Sequence, residues 1–163
     1  MAGTIDARLA ELGIELPTPS APVAAYVPTV MCGTQLFVSG QLPLGLDPLP
    51  KGTLAAADHA EGTPAEGSRL AMAQAAARQC GINLIAQAKA AAGDLDRVAR
   101  VVKLTGFVNS AHDFTQQPVV VNGCSELMLE VFGDRGQHAR SAVGVAALPF
   151  GVMVEIEGIF EIA

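Results

Sequence analysis

VMVEIEGIFEI, residues 152–162, is the stretch from which the rest of the chain can be read. With a side-chain period of two, Val152, Val154, Ile156, Phe160 and Ile162 point one way. Glu155, Glu157 and Glu161 point the other, with Met153 and Ile159. The first set fits beneath a layer of helices. The second places three carboxylates on one face, where they repel one another and resist burial without cationic partners. That face is either solvated or lines a subunit interface in which one carboxylate meets a cation at a ligand pocket. Arg140 and Lys103, on neighbouring predicted strands, are the natural cations.

Upstream, LPFG (148–151) reads as a turn and RSAVGVAAL (140–148) as another strand, while VARVVKLTGFV (98–108) is β-branched and long enough to be buried. A polar connector over 109–117 separates it from a helix that starts near Pro118, where a first turn tolerates proline, and stops at Gly133. Val121, Met128, Val131 and Phe132 are its core positions. Before that, Ser68 to Gly93 repeats Leu70, Ala73, Ala77, Leu84, Ile85 and Ala88 at helical spacing. Gly81 interrupts it at a cost of about 1 kcal/mol against alanine, so a bend or close packing is expected there. Two apolar runs flank Cys32-Gly33-Thr34 as a hairpin, and Pro28 makes the first an edge or irregular strand.

Residues 4–12 read as a short amphipathic helix with Thr4 as N-cap, Ile5, Leu9 and Leu12 on one face and Gly13 as its end. A proline-rich connector follows. Residues 43–67 form an unusually long Gly/Pro/Ala-rich loop, a functional cover or an insertion. The order β-β-α-β-α-β-β predicts one α+β domain over 1–163, with residues 1–20 as N-terminal helix and linker. Two main helices pack on one face of a largely antiparallel sheet.

Composition narrows the function. Of 163 residues, 50% are apolar and 16% charged, which excludes disorder and predicts apolar surface buried between subunits. Ten basic against sixteen acidic residues, no Trp and a single Tyr, Tyr26, lack the footprint of a nucleic-acid-binding protein. Cys32, Cys80 and Cys124 are far apart and form no CxxC pair, so no metal site is expected and a reducing compartment suits them. The N-terminus lacks the apolar core of a signal peptide, and no run approaches the ~20 apolar residues of a membrane span. A cytoplasmic protein without nucleic-acid or membrane partners is expected.

FVSGQLP (37–43), the helix ending in AAAG, VVKLTGFV (101–108), Asn122 and ARSAVGVAALPFGVMVEIEGI (139–159) occur in this order. From about Ala21 onward the chain thereby resembles the reactive intermediate deaminase (Rid/YjgF) family, also known as L-PSP endoribonuclease, and in particular its longer subgroup. The resemblance implies a chorismate-mutase-like α+β sandwich assembled as a homotrimer, with pockets at the subunit clefts. It implies hydrolysis of 2-aminoacrylate-type enamines and imines to 2-keto acids and ammonia, without metal or organic cofactor.

Position by position, the resemblance makes Arg140 the residue that holds the substrate carboxylate, for which a guanidinium's planar fork is suited. Glu155 becomes the carboxylate that positions the attacking water. Tyr26, Ser39, Gly40 and Asn122 become pocket residues. Members often carry Cys two residues after the arginine. Here Ala142 stands there, so a thiol's contribution is absent, though the backbone carbonyl could still orient water. A non-catalytic trimer that binds a carboxylate metabolite is the competing reading. Ribonuclease activity is disfavoured by the acidic charge and by the lack of a usefully spaced His pair. Of the histidines, His112 reads as solvated or capping and His59 as a loop residue without specific role; His138, two residues before Arg140, is open to a place at the pocket rim, but the plainer structural reading is preferred.

Overall fold

The β-branched run at 98–108 pairs with strands on both sides, so it sits inside the sheet and organises it. The structure, a computed structural model, describes residues 3–19 and 25–163; part of the proline-rich connector lies outside them. The elements are α1 (Thr4–Glu11), β1 (Thr29–Cys32), β2 (Gln35–Gln41), α2 (Arg69–Ala92), β3 (Val98–Asn109), α3 (Gln117–Phe132), β4 (Ala139–Val145) and β5 (Val154–Ile162). The sheet order is β1-β2-β5-β3-β4. Only the β3–β4 pairing is parallel, so the sheet is largely antiparallel as expected. β1 is an edge strand, consistent with Pro28 just before it, and β4 is the opposite edge.

Both long helices lie on one face. Ser68 caps α2 by accepting from the Ala71 N–H at 3.2 Å, and Gly93 ends it at φ 79°. The helix runs unbroken through Gly81. A Cβ there would lie 2.8 Å from Leu127 Cδ2 and 2.9 Å from Cys124 Sγ, so its role is close approach of α2 to α3. Gly123 answers from α3, where a Cβ would fall on the Gln74 backbone carbonyl. Leu70, Leu84, Val121, Met128, Leu104, Val154, Ile156 and Phe160 fill the space between helices and sheet.

Several boundaries differ from the expectation. The N-cap of α1 is Gly3, not Thr4, and the capping group comes from far away in sequence. Asp96 accepts from Thr4 N–H at 2.7 Å and Ile5 N–H at 2.8 Å. Met153 is buried, because β5 begins at Val154 and the alternation does not extend back through the turn. β4 stops at Val145 rather than Leu148. The loop at 43–67 is stitched to the end of β3: Leu54 donates to Asn109 O at 2.9 Å, accepts from Ala111 N–H at 2.7 Å, and is fully buried.

Candidate functional site

Direct cross-strand partners share a face of the sheet. Arg140 pairs with buried Leu104, so its side chain emerges on the helix-covered side, where α3 runs past β4. There Arg140 Nη1 donates to Asn122 Oδ1 at 2.8 Å and to Ser125 Oγ at 3.1 Å. Asn122 and Ser125 are three residues apart on α3 and therefore neighbours on its surface. Among the described residues Arg140 has no carboxylate partner, and its Nε and Nη2 edge is unengaged. A strand-end salt bridge, the ordinary fate of such a residue, is not what the fold provides. Ala142 is two residues along the same strand, half-buried against the core.

Glu155 belongs elsewhere. It pairs with Phe107 and alternates with fully buried Val154 and Ile156, so it faces the side of the sheet that the helices leave open. The expected partnership of Arg140 and Lys103 with the three carboxylates does not form as ion pairs among the described residues. Lys103 only shares a groove with Glu157, Thr105, Phe37 and Ser39. Burial, followed by the Glu157 charge, raises the Glu155 carboxyl above the usual carboxylate range. That is the direction that suits a group asked to accept a proton.

Gly40 and Ser39 lie beside Glu155. A Cβ at Gly40 would coincide with the Glu155 carboxylate, so only glycine lets that side chain lie along β2. The pairing of β2 with β5 shifts register between Val38 and Gln41, and the Gln41 amide spans the irregularity by donating to Ser39 O at 2.9 Å and Gly40 O at 3.3 Å. Ser39 Oγ donates to Val27 O at 2.9 Å, which ties down the segment carrying Tyr26, itself half exposed. Ser39, Gly40 and Glu155 thus form one group, to which Tyr26 is linked through its neighbour Val27, and Arg140, Asn122 and Ala142 form another.

Within one protomer these groups do not meet. Arg140 lies in the row Arg140–Leu104–Gly158, whereas Glu155 lies in the row Val143–Phe107–Glu155 and on the opposite face. The two groups are therefore offset by three residues along the strands, roughly 10 Å, and two strands across, roughly another 10 Å.

Sequence reasoning missed Ser125, whose only signal is its i+3 spacing from Asn122. His138 stands just before β4. Its Nδ1 lies 2.6 Å from Gly136 O and its Nε2 3.0 Å from Ser125 Oγ. His112 is exposed. His59 does have a role: its Nε2 accepts from Thr115 N–H at 3.1 Å and its ring packs on Phe114 with centroids 5.2 Å apart. A separate cleft lined by Pro17, Pro19, Gln41, Leu44, Asn83 and Ala86 carries no titratable side chain among the described residues. Among the described residues no three His, Cys, Asp or Glu side chains converge as a metal site requires, and no helix is long and apolar enough to cross a membrane.

Comparison with known proteins agrees with this architecture. The profile of the YjgF/chorismate mutase-like family matches residues 6–160. Protein TCP17 of Trypanosoma cruzi is 49% identical over 163 residues, covering 99% of this chain and 96% of its own. A solved protein of unknown function from Agrobacterium tumefaciens is 44% identical, with a TM-score of 0.80 over 98% of this chain and 92% of its own. TdcF of E. coli, solved with bound serine, is 25% identical, with a TM-score of 0.58 over 90% of this chain and 94% of its own. A mixed α+β fold, a match along nearly the whole chain and relatives of similar length make this chain a member of the YjgF (Rid) family.

Proposed function

We propose that the protein is an enamine/imine deaminase that hydrolyses 2-aminoacrylate-type intermediates to 2-keto acids and ammonia. The observation that carries this reading is the Arg140 guanidinium. One of its nitrogens is held by Asn122 and Ser125, and the opposite edge is turned out with no protein partner among the described residues. Such an edge presents two parallel N–H donors to a carboxylate. The solved relative TdcF, which holds serine, shows that a carboxylate-bearing amino acid fits this fold in that protein.

The two separated groups complete one another if three copies assemble, so that the Arg140 group of one protomer meets the Glu155 group of its neighbour. The open sheet face, with Val30 and Phe37 exposed, supplies apolar surface for such an assembly. In the shared cleft Arg140 grips the carboxylate and Glu155 takes a proton from water as the oxygen bonds to the imine carbon. The Glu155 proton passes to the imine nitrogen, giving the carbinolamine; its hydroxyl proton then follows by way of Glu155 to the same nitrogen, which leaves as ammonia as the C=O bond of the keto acid forms. The imine is electrophilic already, so positioning and one base suffice and no metal or organic cofactor is invoked. With no thiol at Ala142, the backbone carbonyl there is the remaining group of that position able to orient water.

The test is to generate 2-aminoacrylate with a serine/threonine dehydratase and follow its decay. The protein accelerates the decay, and Arg140→Ala lowers kcat/KM by about 10²-fold, as expected for loss of charge-assisted hydrogen bonds. No acceleration, or equal acceleration by Arg140→Ala, overturns the reading. Keto-acid binding without turnover of any imine establishes the non-catalytic carboxylate-binding trimer instead, the reading that Ala142 favours.

A further inference from the structure

Arg140 is held by a relay that reaches into β4 and the turn before it. A backbone carbonyl only accepts, so the Gly136 oxygen fixes the proton of His138 on Nδ1. Nε2 is then bare in the neutral ring and accepts the Ser125 hydroxyl proton across 3.0 Å. With its proton committed to His138, Ser125 Oγ offers a lone pair to Arg140 Nη1 at 3.1 Å. The second Nη1 proton goes to Asn122 at 2.8 Å. Both protons of that nitrogen are spent, and the Nε and Nη2 donors remain for a ligand. Alternation along β4 puts Arg140 and Ala142 on the same side of the strand, and His138 stands just before it, so the relay lies beside the position from which the thiol is missing. Burial and the Arg140 charge keep His138 below the usual histidine range despite the opposing Gly136 bond, so the neutral ring that the relay requires is the prevailing form at neutral pH.

We propose that Ser125 and His138 are positioning residues for the Arg140 anchor, fixing by one directed chain of hydrogen bonds which edge of the guanidinium meets the substrate carboxylate. This rests on the reading of Arg140 as that anchor. An unfixed arginine side chain samples many rotamers, and a chain that pins one end before the ligand arrives lowers the entropy lost on binding. The relay acts on carboxylate capture and leaves the proton chemistry at Glu155 alone.

The test uses the full chain with Ser125→Ala, His138→Phe, His138→Gln and Arg140→Ala, measuring imine hydrolysis and, by calorimetry, the Kd for pyruvate. Ser125→Ala and His138→Phe raise KM and Kd by about fivefold to twentyfold, the loss expected of one hydrogen bond to a charged group when its companion survives, with kcat changed less than twofold. His138→Gln, whose Oε1 can accept the Ser125 hydroxyl, recovers most of the affinity. Independently of activity, the ¹⁵N shifts of the His138 ring show Nδ1 protonated and Nε2 bare at neutral pH. A ring protonated on Nε2, or KM and Kd unmoved by Ser125→Ala and His138→Phe while Arg140→Ala abolishes pyruvate binding, overturns the relay and leaves the anchor standing. If Arg140→Ala binds pyruvate as well as the parent protein, the anchor and the relay fall together.

Discussion

On the face of the sheet that α2 and α3 cover, Leu104, Val108, Val154, Ile156 and Phe160 are fully shielded from solvent within a single chain. On the opposite face Val30, Phe37 and Val143 stand 40–51% exposed on the side that carries Glu155, Glu157 and Glu161. One row across four strands, Val30–Phe37–Ile159–Lys103, runs over that open side. The difference separates folding from function. Packing of the covered face is complete and specifies the architecture. The open face keeps apolar side chains next to carboxylates, one of which carries a raised proton affinity.

The sharpest way to break that contrast is at Glu155. Glu155→Gln removes the proposed base and lowers kcat by about 10²–10⁴-fold in the 2-aminoacrylate assay. In the parent protein the acid limb of kcat/KM lies above the pH of an ordinary carboxylate, because burial and Glu157 raise the Glu155 pKa. The same shift sets a sign for stability. The folded state holds this proton to higher pH than the unfolded chain, so Glu155 costs stability as pH rises through that window, and the cost persists above it. Glu155→Gln is therefore more stable than the parent protein at pH 7 in urea denaturation while its kcat is lowered. A variant that loses stability together with activity would return Glu155 to the ranks of structural residues.

The covered face has its own probe. At Gly123 an added methyl group meets the α2 backbone, which cannot rotate away, so Gly123→Ala costs about 3 kcal/mol in urea denaturation, the upper end of ordinary overpacking. Phe37→Glu on the open face does the reverse. It adds a fourth carboxylate to that side, leaves the circular dichroism of the chain unchanged, and weakens self-association at least tenfold by analytical ultracentrifugation. Imine hydrolysis falls with the assembly if the cleft is shared. A fully associated Phe37→Glu protein would place the subunit contact elsewhere.

How much of this was legible beforehand follows the same divide. Alternation from Val154 to Ile162 and the helical spacing from Leu70 to Ala88 report burial within the chain, and the sheet, both helices and their core residues came out as read, Met153 apart. Arg140 and Glu155 could be placed on strands, but strand patterns alone do not say that one side chain emerges toward α3 and the other away from it. That depends on the parallel register of β3 with β4, which is a tertiary fact. Ser125 was hidden because a serine inside an amphipathic helix looks like any surface position until the strand beneath it is known. His59 looked idle because its partners, Thr115 N–H and Phe114, lie more than fifty residues away.

The smallest effect concerns another long-range contact that no local pattern announces. Asp96 takes the place of an N-cap side chain for α1, and the Ile5 and Thr4 amides it accepts from lower its carboxyl below the usual range. A carboxylate depressed in the folded state contributes stability above its unfolded pKa and loses it as pH falls through the folded value. Hydrogen exchange at the Thr4 and Ile5 amides therefore speeds up in strong acid, relative to intrinsic rates, before the α2 and α3 amides respond. Asp96→Ala reproduces that local loosening at neutral pH, with kcat and KM unchanged, because α1 packs against α3 and the turn before β3 and supplies no residue to either half of the site. If Asp96→Ala alters KM, α1 does reach the Arg140 side through α3, and the separation between a chain-internal scaffold and a shared cleft is less clean than the two sheet faces suggest.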